Sequence, residues 1–427
     1  MSTARPRILL SHPMGNANLR AVATALHARG LLESFHTSIA TYPGNRWDRL
    51  SALGPLSDFG RRAFDPALAP LTHQYPGREL LRMVASKAGL HRLTAHETGR
   101  YSVDAIYHAH DRRVADYLRR GRDADQLGGV YAYEDGALET FRAARERGLQ
   151  CIYDLPIAYW ATARRLQEEE ARRLPRWAPT LGGGIGDSEE KLARKRAELE
   201  LADVVVGPGS FVMDSLPDWA ADRARIVAPF GSPQTGDRPA RTDYATPGGD
   251  RPLQVLFVGS MGQRKGLGDL FAAMRKLAGR PVELVVLGSQ LAPEAFYRGE
   301  YAGFTYEPTR SHAGVLELMR SCDVFCLPSI VEGRALVMQE AMSQGLPIVI
   351  TANTGGADLV VAGETGFLVP IRDPEAIADR LAWFDDHRGE LPRMGAAAAA
   401  HAARYTWAAY GNHVATEIGK RLQTADA

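Results

Sequence analysis

Glu332 and Glu340 stand eight positions apart, with the small, flexible stretch Gly333-Arg334-Ala335 between them. Upstream, the loop Gly259-Ser260-Met261-Gly262-Gln263-Arg264-Lys265-Gly266 carries two adjacent cations. Arg264 and Lys265 suit phosphate oxygens. Carboxylates accept hydrogen bonds from hydroxyl groups. A helix starting near Ala335 would add anion-binding amides, because its first N–H groups have no partner inside the helix. A phosphate clamp beside two acids describes a site for a nucleotide sugar: diphosphate on the cations, hydroxyls on the acids. Paired carboxylates also suit glycoside hydrolysis. That chemistry leaves the basic loop unexplained.

These groups need a scaffold that brings several loops together. Leu253 to Val258, Pro281 to Leu287, Phe304 to Tyr306, Val324 to Leu327 and Ile348 to Ile350 are short apolar runs. Each reads as a buried strand followed by a polar or Gly-rich loop. Gly345-Leu346-Pro347 stops the helix that contains Glu340. Open α/β sheets bind ligands at loops after the carboxyl ends of their strands. The loops 259–266, 288–290 and 329–336 therefore fall on one sheet edge.

The first half repeats the pattern. Arg7 to Ser11 is a strand, His12 to Asn18 a turn-rich loop, and Leu19 to Ala28 a helix ended by Gly30. GxGxxG is missing, so a bound dinucleotide is not supported. Gly15 and Asn16 are placed either to offer amides to a ligand or to form a plain tight turn. Two further strands deliver polar groups at their ends: Tyr133, Glu134 and Asp135, then Asp154 and Tyr159. These residues form a site or cap the helices that follow. Asp123 and Asp125 make a DxD in a charged run, before a strand and not after one, a poor setting for a metal. Residues 233–252, rich in Pro, Gly, Asp and Thr, read as a linker. The expected organisation is 1–232, a linker over 233–252, 253–405, and a closing helix over 406–427 that packs back toward the first domain.

Composition excludes several classes. Lys and Arg number 51 against 50 for Asp and Glu, so no strong field draws the chain to nucleic acid. No run approaches a membrane span and Ile8-Leu9-Leu10 is too short for a signal sequence. Three cysteines make no disulfide framework. Cys322 and Cys326 share one face of a strand-like run, as a ligand or redox pair or as buried small hydrophobes. The expected setting is the reducing cytosol. Arg78 to Leu93 is basic and amphipathic, which fits peripheral contact with a membrane surface or acceptor and equally a solvated helix face.

The second half resembles a known family. Glu332 and Glu340 match the E-x7-E motif of retaining GT-B glycosyltransferases of family 4. Leu327-Pro328-Ser329, Glu340-Ala341-Met342, Gly355-Gly356 and Gly363 to Val369 resemble that family's text, and Phe257-Val258-Gly259 with Arg264-Lys265-Gly266 its phosphate loop. The resemblance covers most of 253–420; over 1–232 it is architectural. It implies an α/β, GT-B fold of two Rossmann-like, doubly wound domains facing a central cleft. It implies a metal-independent, cofactor-free transfer from a nucleotide sugar to a hydroxyl-bearing acceptor, with retention. Glu332 would contact the transferred sugar and Glu340 the ribose. Lys265, with Arg264, would neutralise the leaving diphosphate. Gly259 and the amides of Ala335, Leu336 and Val337 would help hold it, and Gly15 with Asn16 would approach from the opposite domain. Tyr133 occupies the place where many relatives carry a sugar-contacting His.

Three residues depart from the family pattern. Ser260 stands where many relatives have Arg, and Arg264 is the expected substitute. Arg334 replaces a common aromatic and is expected to reach a charged sugar or phosphate. Tyr133 in place of His leaves Glu134, Asp135, Asp154 and Tyr159 as alternative sugar or acceptor contacts. Competing readings are another GT-B enzyme, such as an epimerase or phosphorylase, and a non-catalytic sugar-nucleotide-binding protein.

Overall fold

The computed structural model describes residues 6–425 apart from 53, 122–125, 234–241 and 250. Asp123 and Asp125, and much of the expected linker, lie outside the described residues.

Seven short strands form the first sheet: β1 (Arg7–Ser11), β2 (Leu32–Thr37), β3 (Thr72–Gln74), β4 (Leu127–Tyr133), β5 (Gln150–Asp154), β6 (Val204–Gly207) and β7 (Ala224–Val227). Their order is β3-β2-β1-β4-β5-β6-β7, and every neighbouring pair is parallel. The second sheet contains β8 (Leu253–Val258), β9 (Val282–Leu287), β10 (Phe304–Glu307), β11 (Val324–Leu327), β12 (Ile348–Ile350) and β13 (Gly366–Leu368). It runs β10-β9-β8-β11-β12-β13, again parallel throughout. Parallel strands are covered on both faces, so their sequences are apolar runs without alternation. Val204-Val-Val-Gly207 and Val324-Phe-Cys-Leu327 are buried at every position.

In each sheet the strand order reverses between the first strand and the one beside it: between β1 and β4, and between β8 and β11. Such a switch point leaves a crevice at the carboxyl ends, because the connecting helices depart to opposite faces. The loops after β1, β4, β8 and β11 are those that carry most of the candidate residues.

Two features hold the halves together. The last helix, Trp407–Ala425, lays Tyr410, Val414, Ile418 and Leu422 against Leu19, Val22 and Leu26, joining the first core. Each such burial contributes roughly 1.5–3 kcal/mol relative to exposure. The segment after helix Trp160–Arg173 crosses the other way. Trp177 packs edge-on against Phe271, Phe296 and Tyr297 in the second core. Polar contacts close this bridge: Gln263 Nε2 donates to Glu170 at 2.9 Å, Arg173 meets Asp269 at 2.7 Å, and Arg372 pairs with Glu170. Cys322 and Cys326 are both buried in the second core, the small-hydrophobe arrangement.

Candidate active site

The second domain builds a compact charge cluster at its switch point. After β8 the chain makes a short turn, Gln263–Lys265, and Gly266 takes a left-handed φ of 74° before helix Leu267–Lys276. A Cβ there would stand 2.0 Å from the carbonyl of Pro328, so only glycine fits. The two loops are stitched by Ile330 N donating to Arg264 O at 2.9 Å and by Arg264 donating to Val331 O at 3.2 Å. Glu332 Oε1 thereby meets Lys265 Nζ at 2.5 Å and Arg264 at 3.0 Å. Burial pulls the Lys265 ammonium below the ordinary lysine range, and Glu332 acts in the opposite direction. Two cations face one acid, so the cluster keeps a formal positive charge for an anion.

Helix Leu336–Ser343 starts beside this cluster, with Ala335 as N-cap and its own amide donated to Thr354 O at 3.1 Å. The first amides of the helix, at Leu336 and Val337, have no intrahelical acceptor and add a positive dipole end. Glu340 lies one turn further and meets His312 Nε2 at 3.1 Å. His312 opens helix His312–Ser321, with Ser311 as its cap. Ordinary sequence reading does not find His312; its only signal is a polar residue after a Ser cap at a strand–helix junction. Gly333 is also obligatory, because a Cβ would lie 1.8 Å from Pro156 O of the first domain. The loops after β5 and β11 therefore touch across the cleft.

Arg334 departs from expectation. Its side chain is fully buried and turned away from the Lys265 cluster. Nε donates to Gln339 at 2.7 Å, and the terminal nitrogens donate to Gly355 O and to both Asp358 oxygens at 2.7–3.1 Å. The guanidinium also covers the Tyr405 ring at 5.0 Å. Its donors are committed to the fold, and a phosphate would have to break those bonds to reach them.

In the first domain, Gly15 has a φ of 67°, and a Cβ would collide with the Phe64 ring at 2.3 Å. Asn16 spends its side-chain oxygen capping helix Ala17–Ala28 through Leu19 N. Beside them stands His12, which the sequence reading passed over. Its Nδ1 accepts hydrogen bonds from Met14 N and Gly15 N, both at 3.0 Å. That places the proton on Nε2, and Nε2 is buried without a partner among the described residues. Burial holds the imidazole neutral, with its pKa lowered to about 3. The ring lies 4.3 Å from that of Tyr133, so β1 and β4 present a neutral N–H donor and a phenol side by side. A histidine directly after a buried strand, before Pro-x-Gly, is the signal that marks it.

The acids after β4 and β5 are not helix caps. Helix Leu138–Glu146 is capped from a distance: Glu198 accepts from Asp135, Ala137 and Leu138 amides, and Asp111 from Glu139 and Thr140. Glu134 and Asp135 instead share Lys195 Nζ at 2.7 and 3.0 Å. Burial raises the Glu134 carboxyl, and Lys195 opposes that rise. Burial also works against the Lys195 charge, but the two acids hold the ammonium above its usual range. Asp154 meets Asn18 Nδ2 at 3.3 Å and the Tyr131 phenol, and burial raises it to about 7. Tyr159 is buried in the first domain's core. Neither Asp154 nor Tyr159 lines the cavity between the domains.

That cavity, about 470 Å³, is walled by Glu134, Asp135, Trp160 and Lys195 on one side and by Ser260, Arg264 and Val331 on the other. Arg264 thus reaches both the cavity and Glu332. One group of residues among those described brings metal-ligating atoms within 4.8 Å of each other: His96, Glu97 and Asp187, near the surface of the first domain. Lys191 Nζ already neutralises Asp187 there at 3.2 Å.

Two parallel sheets with opposed switch points define the GT-B architecture, and solved structures align with nearly the whole chain. Sucrose-phosphate synthase from Thermosynechococcus elongatus covers 99% of it, with a TM-score of 0.63 at 17% identity and all of that chain matched. HepE of Anabaena, solved with UDP, covers 98% at a TM-score of 0.56 and 14% identity, again with all of that chain matched. Residues 252–384 match the family model Glycosyl transferases group 1. D-inositol 3-phosphate glycosyltransferase of Corynebacterium glutamicum is 30% identical over 257 residues, 52% of this chain and 59% of its own length. A putative colanic acid biosynthesis glycosyltransferase, WcaL of Salmonella typhimurium, is 33% identical over 32% of this chain and 37% of its own length. The chain thus spans about three-fifths, or less, of the curated relatives named here. No helix among the described residues is long and apolar enough to cross a membrane.

Proposed function

We propose that this chain is a metal-independent, retaining glycosyltransferase that moves a sugar from a nucleoside diphosphate to an acceptor hydroxyl. The observation that carries the reading is the Lys265–Glu332–Arg264 cluster beside the start of helix Leu336–Ser343. Breaking the anomeric bond builds negative charge on the diphosphate. Lys265, Arg264 and the helix amides stabilise that charge where it forms, and donors already oriented need no reorganisation during the reaction. On binding, the phosphates take over part of the partnership that Glu332 now fills. Its carboxylate is then free to accept from a sugar hydroxyl. Glu340, with His312, is placed for the ribose hydroxyls. The His12 Nε2–H and Tyr133 face the sugar from the first domain.

Retention follows from same-face attack. The acceptor oxygen bonds the anomeric carbon as the bond to the diphosphate oxygen breaks, and that oxygen takes the acceptor's proton. The cavity walled by Glu134, Asp135, Trp160 and Lys195 opens onto Arg264 and is the natural berth for the acceptor. A nucleotide sugar as donor is supported by HepE, described with UDP and with UDP-glucose.

The test is incubation with a panel of nucleoside diphosphate sugars, with and without chelator, reading nucleoside diphosphate release and product anomeric configuration by NMR. Release that persists in chelator, with an α-configured product from an α-configured donor, is expected. An altered sugar without release identifies an epimerase. Binding with neither outcome identifies a non-catalytic protein.

A further inference from the structure

Helix Gly77–Lys87 follows the edge strand β3 at the carboxyl end of the first sheet, and a short helix, His91–Thr94, extends it. Their outer face is apolar where solvent should make it polar. Leu81, Val84, Leu90 and Leu93 are 48%, 64%, 49% and 36% exposed. Val103, at the start of the next helix, is 48% exposed. Nearly half of the large apolar side chains exposed among the described residues fall in this one segment. The first two lie one turn apart on the same helical face.

The exposed charges of residues 77–100 are all basic. Arg78, Arg92 and Arg100 are exposed and make no ion pair among the described residues, and Arg112 and Arg113 are exposed on helix Val103–Arg119 nearby. Lys87 pairs with Asp58 at the far flank. The acids of the segment are turned inward. Glu79 is wholly buried and bonded to Arg62 and Arg82, and Glu97 accepts from Ser188 N. A nearly neutral chain has therefore concentrated cations around an apolar face. A recess of about 440 Å³ opens beside it, lined by Tyr75, Arg78, Leu81, Ile106 and Arg113. It sets two guanidinium groups around a space of headgroup size, next to an apolar side chain.

We propose that this face docks on an anionic lipid bilayer. Apolar side chains entering the acyl boundary, with arginines at headgroup level, is the arrangement an interfacial helix requires. A second copy of the chain is a poor occupant, because a two-fold interface sets the same cations against each other. The face lies at the sheet edge that also carries the cleft, so docking brings a bilayer to the border of the site.

The test is co-flotation of the full chain with vesicles of phosphatidylcholine alone or mixed with phosphatidylglycerol. Binding to the mixed vesicles only, weakened by salt, is expected. Arg78→Ser and Arg92→Ser should each lower partitioning about fivefold. Leu81→Ser with Val84→Ser should abolish it, while melting temperature and turnover on a soluble acceptor stay unchanged. The side chains replaced are exposed, so loss of folding is not the expected cause. Absence of binding to the mixed vesicles, or variants that partition like the parent, would overturn the proposal. So would a concentration-dependent dimer dispersed by Val84→Ser without vesicle binding.

Discussion

At the carboxyl end of β4, Glu134 and Asp135 share the single ammonium of Lys195. At the carboxyl end of β11, Glu332 alone receives both Lys265 and Arg264. The first group carries a formal charge of minus one and the second plus one. Each stands at its sheet's switch point, yet they suit different ligands. The first has no charge to spare for a phosphate and offers acceptor oxygens, which suit hydroxyl groups. The second keeps an uncompensated cation beside free helix amides, which suits a diphosphate. The partners also differ in origin. Lys195 reaches Glu134 from helix Glu189–Leu201 of the same domain and is itself buried. Lys265 and Arg264 come from a loop stitched to the loop that holds Glu332. An acid–cation pair therefore marks a binding site when cations are in excess and the pair sits between loops. It serves also as a structural tie where, as here, a buried lysine of the same domain is held between the two acids.

Three measurements test that contrast, taken from the largest effect down. Lys195→Met leaves Glu134 and Asp135 without a counter-charge, and removing one partner of a buried ion pair costs about 3–5 kcal/mol. Denaturant unfolding should show a loss of that size. Intact stability with lost turnover would make Lys195 a site residue and erase the contrast. Lys265→Ala should behave in reverse, with kcat lowered about 100- to 1,000-fold and the unfolding midpoint little changed. In the parent chain, the proposed turnover should fall with rising pH before an ordinary lysine would titrate, because burial lowers the Lys265 pKa. A flat alkaline profile would remove Lys265 from that limb.

The smallest effect concerns Asp154. Folded, it keeps its proton up to about pH 7; its ordinary value is 3.8. Between those values the folded chain holds the extra proton, so its contribution to stability is full at low pH and is lost as pH rises toward 7. Asp154→Asn should flatten that slope in melting curves at a series of pH values and stabilise the chain slightly at neutral pH. Lost activity with an unchanged slope would return Asp154 to the site.

Much of this was open to reading from the chain alone. Runs such as Leu253 to Val258 and Val324 to Leu327 declare buried strands, and Gly-rich turns after them declare loops at the sheet edge. Arg264, Lys265 and Glu332 stand on those loops, so their neighbourhood follows from local pattern. Arg334 was legible as a cation but not in direction, because Gly355 and Asp358, more than twenty positions on, decide where it points. His12 and His312 were passed over because each gains meaning from a neighbour distant in sequence, Tyr133 and Glu340. The helix caps at Leu138 come from Asp111 and Glu198, which no local motif connects to it.

The sequence by itself determined two parallel α/β halves, the loops that edge them, and a basic loop near a pair of acids. Strand burial and turn chemistry are short-range, so a few adjacent residues specify them. Which acids are neutralised, which cations stay in excess, and which side chains turn inward was decided only in the tertiary structure. Charge compensation acts through space, and the partner that settles it lies as often a hundred residues away as four.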